Sequence, residues 1–322
     1  MAENESYLHV RQGRQLSLGL RSLIHLEKRL GLPCSFLLEV SLQAGGCYKK
    51  FYSRPRLKPF QKLIKPAKLR TIDNPSSVLK FIQRQINRKL LQNLNLPFYL
   101  CGGVRGRSVL DNVWMHFGAR QVVAVDIRNF FPCISNFQVY DVWQKLLGCS
   151  PEIASLLTKL TTVERRLPQG APTSTLLANL VLHMSDVKIR NVCEERGITY
   201  STWVDDLAFS GINVPQILEV VIPELHRSGF LVSRKKLRIM GPGDQKVLNG
   251  IVMGKFPGLL KSRFSQIRSG VHKIQTNQVP AHELENYVRR LKGRILHVRN
   301  ISQRKGDILL RELQSAREGQ TF

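Results

Sequence analysis

Residues 202–211 carry the sequence TWVDDLAFSG, in which two aspartates stand side by side between apolar residues. The apolar flanks favour short strands, so the stretch predicts a β-hairpin with Asp205 and Asp206 at or near its tip. Adjacent like charges repel each other and lose hydration beside apolar neighbours, so the pair needs a counter-charge. A solvated turn is the commonest explanation of such a pair, and a divalent cation is the alternative that these flanks favour.

A second strand that ends in an aspartate precedes the hairpin. Residues 121–126, QVVAVD, form a β-branched run that ends at Asp126. Two metal ions about 3.5–4 Å apart can activate an attacking oxygen and stabilise a leaving oxygen in phosphoryl transfer. Mg²⁺ prefers hard oxygen ligands. Asp126 beside Asp205 and Asp206 in a central antiparallel sheet would supply them.

The composition indicates a polyanionic partner. The 322 residues are 43% hydrophobic, which suffices for a substantial core, and 49 Lys and Arg face 23 Asp and Glu, for a formal net charge of +26. Such an excess is typical of proteins that bind nucleic acid. Six scattered cysteines without a CxxC pair argue against a disulfide framework or a zinc module. The chain shows no apolar run of about 18 residues and no signal peptide, which predicts a soluble cytoplasmic protein with no membrane partner.

Helical periodicity and basic segments fill much of the remaining chain. We predict one or two helices within 7–45, an exposed basic hairpin or loop at 54–70, a helix capped by Ser76 or Ser77 and a long helix over 174–196. The inward faces expected of the last two helices are Val78, Ile82, Ile86 and Leu90 for the first, and Leu177, Leu180, Val181, Met184 and Val187 for the second.

The order of these motifs resembles that of reverse transcriptases. Asp126 with Phe131 five positions on, LPQGAPTS at 167–174 and the double aspartate are similar to the palm motifs of that family, and residues 64–86 resemble the fingers segment of its bacterial members. The resemblance covers about residues 50–300. It implies an RNA-directed DNA polymerase with an α+β right-hand fold, in which a central antiparallel palm sheet carries the aspartates.

The resemblance also implies the domain organisation. The expected parts are an N-terminal helical segment at 1–50, fingers with part of the palm at 51–120, a palm at 121–254 that includes the helical region 173–196, and a basic helical thumb at 255–322. Three helical segments are expected after residue 261. From Lys255 onwards the chain holds 14 Lys and Arg against 5 Asp and Glu.

Roles for individual residues follow from the same resemblance. Asp126, Asp205 and Asp206 would bind two Mg²⁺ ions together with the backbone carbonyl of Ile127. The implied nucleotide-binding residues are Arg70 and Lys65 at the triphosphate, Phe131 under the sugar, Gln169 and Gly170 in the loop beside the incoming nucleotide, and Lys236 as proton donor to pyrophosphate. Phe130 and Lys235 stay open as alternatives to Phe131 and Lys236. Trp203 stands where the family usually has the tyrosine of Tyr-x-Asp-Asp.

Residues 106–132 resemble the retron subclass of bacterial reverse transcriptases. The subclass signature N-A-x-x-H corresponds here to Asn112 through His116, and the second signature V-T-G corresponds to Leu248, Asn249 and Gly250, of which the glycine alone is unchanged. A satisfied helix histidine and a plain type I′ turn would explain the two signatures without RNA. The implied RNA-binding residues are Asn112, His116, Asn249, Gly250 and, in the thumb, Arg289, Arg290, Lys292 and Arg294.

The retron resemblance implies a specific reaction. Such a protein copies part of a cognate structured non-coding RNA into single-stranded DNA, starts from a guanosine 2′-hydroxyl and leaves a branched RNA–DNA molecule. Its other expected partners are deoxynucleoside triphosphates and a separate effector protein in antiphage defence. Another bacterial reverse transcriptase, intron-derived or antiphage, and a non-catalytic RNA-binding protein with a polymerase-like fold are the alternatives.

Overall fold

The computed structural model describes residues 16–53 and 69–319, and its N-terminal part is helical, as predicted. The first helices are Leu23–Leu30 and Cys34–Gln43. Two antiparallel strands follow, β1 (Tyr48–Ser53) and β2 (Arg70–Pro75). The predicted basic segment 54–70 lies outside the described residues except for its last two.

The helix Ser77–Lys89 packs one face against the core. The Ser76 side chain accepts a hydrogen bond from the Leu79 N–H, which makes Ser76 the N-cap. Leu79 is fully buried, whereas Val78 is 46% exposed, so the prediction of Val78 as a core residue is wrong. The buried face follows the spacing i, i+3, i+4, i+7 from Leu79, and Val78 falls beside it. Its buried members are Leu79, Ile82, Gln83 and Ile86.

A four-stranded antiparallel sheet forms the centre of the fold. Its strands are β3 (Gln121–Asp126), β4 (Thr199–Trp203), β5 (Asp206–Gly211) and β6 (Arg238–Met240). The order is β4-β5-β3-β6, so the predicted hairpin pairs directly with the predicted aspartate strand. Buried β-branched and aromatic side chains of these strands form the core with the surrounding helices. The α+β class and the central antiparallel sheet are therefore confirmed.

Helices surround this sheet. Their bounds are Val109–Met115, Phe130–Cys133, Asn136–Asp141 continued by a π-helical turn at Val142–Leu146, Pro151–Thr161, Ser174–Ser185, Val187–Glu195 and Leu218–Arg227. The prediction of a single long helix over 174–196 is wrong, because the first helix ends at Ser185 and a second begins at Val187, with Asp186 between them. That carboxylate is fully buried and accepts hydrogen bonds from Tyr99, Tyr200 and Arg190. Val187, predicted to face inward, is 47% exposed beyond the break.

The C-terminal part has a core of its own. A three-stranded antiparallel sheet, β7 (Lys246–Leu248), β8 (Ile251–Met253) and β9 (Pro257–Leu259), precedes three helices. The helices, predicted as three, are Lys261–Gln275, Ala281–Ile301 and Gln303–Glu318. Their buried apolar side chains form a separate cluster. None of the helices in the described ranges is both long and apolar enough to cross a membrane.

Candidate active site

Two of the predicted metal-binding aspartates belong to neighbouring strands. Asp126 is the last residue of β3 and Asp206 the first of β5, and the antiparallel register places them opposite each other. Asp205 lies in the turn between β4 and β5, where its carbonyl accepts a hydrogen bond of 2.9 Å from the Ile127 N–H. The three aspartates therefore meet at one end of the central sheet.

The hairpin turn is strained and is held by a distant segment. Val204 has φ 61°, a left-handed conformation that is unusual for a β-branched residue. The Thr202 N–H donates to the Tyr99 carbonyl at 2.8 Å, and the Cys101 N–H donates to the Thr202 carbonyl at 2.9 Å. A Cβ on Gly102 would lie 2.6 Å from the Val204 nitrogen, so only glycine fits there. Sequence reasoning missed Gly102, because about one hundred residues separate it from the hairpin.

Lys236 neutralises the carboxylate of Asp126, whereas the surroundings of Asp205 and Asp206 disfavour their ionised forms. Lys236 Nζ lies 2.6 Å from Asp126 Oδ2, and the Asp126 side chain is only 7% exposed. Burial raises the pKa of Asp206 to about 6, with the charges of Asp205 and Asp126 adding to the effect. The pKa of Asp205 is also raised, chiefly by burial. The cluster is thus short of positive charge.

The donor chemistry of the cluster fits a hard divalent cation. Carboxylate oxygens are the ligands that Mg²⁺ prefers, and a cation would relieve the repulsion within the cluster. Within residues 16–53 and 69–319, however, no three His, Cys, Asp or Glu side chains converge into a preassembled metal cluster. A metal at Asp126 would compete with the Lys236 ammonium group, which lies 2.6 Å from Asp126 Oδ2.

The predicted nucleotide loop is held by an ion pair. Arg166 donates to both oxygens of Asp73, at 2.8 and 3.1 Å. Asp73 Oδ2 also accepts from the Gln169 N–H at 3.1 Å, and the Asp73 N–H donates to the Gln169 carbonyl at 2.9 Å. Burial alone would raise the pKa of Asp73, but the Arg166 and Gln169 hydrogen bonds lower it overall. Gly170 has φ 126°, and a Cβ there would lie 2.8 Å from the Ile72 side chain.

The other predicted nucleotide-binding residues lie as follows. Phe130 is 2% exposed with its ring 5.3 Å from that of Phe230, so Phe131 is the more accessible of the adjacent pair. Arg70 is the first residue of β2, and its charge acts to lower the pKa of Asp205 against the larger effect of burial. Lys65 lies outside the described residues.

The residues of the first predicted retron signature are internal. Asn112 and His116 are each 1% exposed. Asn112 Nδ2 donates to Ser201 Oγ at 2.6 Å, and the two His116 ring nitrogens lie 2.6 Å from Ser201 Oγ and 2.7 Å from Ser210 Oγ. Burial lowers the pKa of His116 to about 4, so it is neutral at pH 7. Both side chains contact protein here, and Asn112 also accepts a hydrogen bond from Asn249, which lines the groove described next.

An open groove of about 1110 Å³ runs past the aspartates. Four Lys and Arg side chains and two aspartates line it, so its wall carries a net positive charge. Besides the predicted Asp126, Asp206, Lys236, Asn249 and Gly250, the lining includes Trp203, Lys235, Arg238, Arg263, His297 and Asn300. Sequence reasoning missed Arg263, His297 and Asn300, because no local pattern marks which face of a basic helix borders a groove.

The four predicted basic residues of the helix Ala281–Ile301 are all exposed. His297 of the same helix lines the groove. Arg290 and Arg294 lie seven and three residues before His297 and therefore on its face of the helix. Lys292 lies on a different side of the helix from His297, and Arg289 lines a second cavity together with Arg290. Arg290 and Arg294 are thus better placed than Lys292 to extend the groove.

Comparison with known proteins places the chain in a family. Residues 58–275 match the family model described as reverse transcriptase (RNA-dependent DNA polymerase). The chain belongs to the reverse transcriptase family. The match covers both the strand that ends in Asp126 and the Asp205–Asp206 hairpin, and it implies a right-hand polymerase fold.

Curated relatives of this reverse transcriptase are of the retron type. It is 31% identical over 214 residues to the retron Ec86 reverse transcriptase of Escherichia coli, covering 64% of this chain and 66% of that one. It is 35% identical over 146 residues to the retron Se72 enzyme of Salmonella heidelberg (strain 579083-10), covering 45% and 38%. The retron Mx65 enzyme of Myxococcus xanthus is 26% identical over 333 residues, covering 92% and 77%. The predicted resemblance to retron reverse transcriptases is confirmed. The matched region spans just under two thirds of the first relative and 38% of the second.

Proposed function

We propose that this protein is an RNA-directed DNA polymerase that copies part of a cognate structured non-coding RNA into single-stranded DNA. The observation that carries the proposal is the meeting of Asp126, Asp205 and Asp206 at one end of the central sheet, beside a basic groove. Such a groove suits a nucleic-acid strand, because phosphate neutralisation by Lys and Arg drives binding. The three aspartates suit phosphoryl transfer at the strand's end.

In this proposal the parts of the chain have the roles of a right hand. The central sheet and its helices are the palm, β1, β2 and the helix Ser77–Lys89 belong to the fingers, and the helices from Lys261 onwards are the thumb. The aspartates would hold two Mg²⁺ ions with the Ile127 carbonyl. Bound Mg²⁺ would activate the attacking hydroxyl and stabilise the leaving pyrophosphate oxygen.

The chain's own residues would then bind and orient the substrates. Gln169 and Gly170, fixed by Asp73, would lie beside the incoming deoxynucleotide, and Arg70 would bind its triphosphate through charge-assisted hydrogen bonds. Phe131 would contact the sugar and disfavour a 2′-hydroxyl. Lys236 would protonate the departing pyrophosphate once its contact with Asp126 is released.

The retron relationship supports a finer proposal. DNA synthesis would start from a guanosine 2′-hydroxyl of the RNA and yield branched RNA–DNA, within an antiphage system that includes a separate effector protein. Sequencing of the nucleic acid that copurifies with the chain tests this. We expect one structured RNA joined to DNA through a bond that a 2′,5′-debranching enzyme cleaves. Recovery of unrelated RNAs alone, with no attached DNA, would contradict the retron reaction while leaving the polymerase proposal intact.

A further inference from the structure

The turn between β7 and β8 is connected to the proposed catalytic hairpin by side-chain hydrogen bonds. Asn249 and Gly250 have φ 50° and 80°, as a two-residue type I′ turn requires. Asn249 Nδ2 donates to Asn112 Oδ1 at 2.8 Å, and Asn112 donates in turn to Ser201 Oγ at 2.6 Å. Ser201 lies on β4, two residues before Trp203. A chain of two hydrogen bonds, one partly buried and one buried, therefore fixes the turn relative to the strand that leads to the aspartates.

The opposite side of this turn is covered by a guanidinium group. A Cβ on Gly250 would lie 2.6 Å from Arg263 Cζ and 2.8 Å from Arg263 Nη2, so the guanidinium packs directly on the glycine backbone. Among the residues that the structure describes, Arg263 forms no ion pair, and it lines the groove together with Asp126 and Asp206. Its donors are thus free to bind a ligand in that groove.

The position of the groove indicates the class of ligand. Of the residues proposed to contact the nucleotide, Lys236 lines the groove beside the aspartates, whereas Gln169, Arg70 and Phe131 do not line it. The groove instead joins the aspartates to the thumb side of the site, where a strand that ends at the aspartates would lie. A planar guanidinium binds phosphate oxygens in bidentate fashion.

We propose that Arg263 binds a backbone phosphate of the strand that presents the priming hydroxyl, and that Asn112 is a positioning residue that acts through Asn249. The turn supports the Arg263 guanidinium. The Asn112–Asn249 hydrogen bond fixes the position of the turn relative to the aspartates, and Gly250, which has no side chain, leaves room for Arg263 to pack on the turn. This inference rests on the proposed polymerase function. It gives the two retron-like signatures one joint physical role.

Binding of a labelled primer–template duplex without divalent ions or nucleotides tests the inference apart from catalysis. We expect Arg263→Gln to weaken binding about tenfold, the loss of one charge-assisted contact, and to reduce the slope of log affinity against log salt by about one. Arg263→Lys keeps the charge but loses the bidentate geometry of the guanidinium, so its affinity should lie between those of Arg263→Gln and the wild type. Arg268→Gln is the matched control, because Arg268 lies on the same helix and pairs with Glu312, outside the groove.

The positioning role is tested by Asn249→Gly, which keeps the turn conformation and removes the hydrogen bond to Asn112. We expect weaker duplex binding with an unchanged KM for deoxynucleotides on an annealed primer. Adding Arg263→Gln to this variant should weaken binding by less than the sum of the two separate effects. Full additivity, a raised nucleotide KM, or equal behaviour of Arg263→Gln and Arg268→Gln would overturn the inference. A wild-type chain that binds duplex as expected but never extends it would instead contradict the proposed function.

Discussion

Lys236 holds Asp126 in an ion pair of 2.6 Å at the centre of the proposed catalytic site. The contact distinguishes Lys236 from the adjacent Lys235, which the sequence left as an equal candidate. Lys235 also lines the groove but forms no ion pair among the described residues. It also means that a nearly buried carboxylate is neutralised by protein before any metal arrives. Lys236 thus serves as a counter-ion in the metal-free protein, and metal binding would release it.

Replacement of Lys236 tests this exchange. We expect Lys236→Met to lower the free energy of unfolding of the metal-free protein by about 1–2 kcal/mol, because it leaves Asp126 without a counter-charge, the loss being moderated by the exposure of the lysine. Mg²⁺ should stabilise this variant more than it stabilises the wild type, since the metal takes over the neutralisation. Thermal unfolding with and without Mg²⁺ measures both effects. Lys235→Met is the control, and identical behaviour of the two variants would contradict the account.

The raised pKa of Asp206 predicts how stability depends on pH. Its pKa in the folded chain is about 6, above the ordinary value of 3.8, because burial and the neighbouring carboxylates disfavour the charged form. The folded state therefore binds this proton more tightly than the unfolded state, so the stability that Asp206 contributes to the metal-free protein is present below about pH 4 and is lost as the pH rises through about 6. Asp206→Asn should reduce this loss. Chemical denaturation of both proteins in chelator at pH 5 and pH 7 measures it, and parallel pH profiles would contradict the predicted contribution of Asp206.

The clamp between Asp73 and Gln169 predicts a defect in nucleotide binding. Asp73→Ala removes the acceptor that fixes the Gln169 N–H and leaves Arg166 with Glu164 as its ion-pair partner. We expect a rise in the KM for deoxynucleotides of about tenfold with a smaller change in kcat, the effect of losing one charge-assisted contact. Asp141→Ala removes a carboxylate whose Lys145 pair is exposed and should leave the kinetics unchanged. A KM equal to that of the wild type in Asp73→Ala would show that Asp73 does not position the loop.

The helix break at Asp186 predicts a large effect on stability. Burial raises the pKa of Asp186 to about 6 even though Arg190 favours its charged form. Arg190→Ala would leave the carboxylate buried with two tyrosine hydroxyls as its donors, and we expect a loss of about 3–5 kcal/mol. Arg196→Ala, six residues further on at the exposed C-cap of the same helix, should change stability by less than about 0.5 kcal/mol. Urea unfolding compares the two, and equal midpoints would contradict the assigned role of the ion pair.

Sequence alone predicted the elements whose cause is local. The β-branched run before Asp126 and the apolar flanks of Asp205–Asp206 indicate strands directly, and a hairpin beside that strand brings the three aspartates together. The number of C-terminal helices also follows from periodicity. These features depend on side-chain spacing along one segment, which is visible in the printed sequence.

The remaining features depend on contacts between distant segments. Asp186 ends a helix because Tyr99 and Tyr200 supply hydrogen bonds in the core, and neither lies near it in a helical pattern. The burial of Asn112 depends on its hydrogen bond to Ser201, and the packing of the Arg263 guanidinium depends on the missing side chain of Gly250. Only the fold shows that these residues act together. The charge of a basic segment likewise does not tell which arginine borders a groove.

The central claim is that Asp126, Asp205 and Asp206 form the site of RNA-directed DNA synthesis. The most direct test is extension of a primer annealed to an RNA template by wild type and Asp205→Asn, with RNA affinity measured in parallel. We predict Mg²⁺-dependent deoxynucleotide incorporation by the wild type, and at least a hundredfold less, on the order of losing one essential electrostatic group, by a variant that binds RNA normally. Undiminished synthesis by Asp205→Asn would contradict the account.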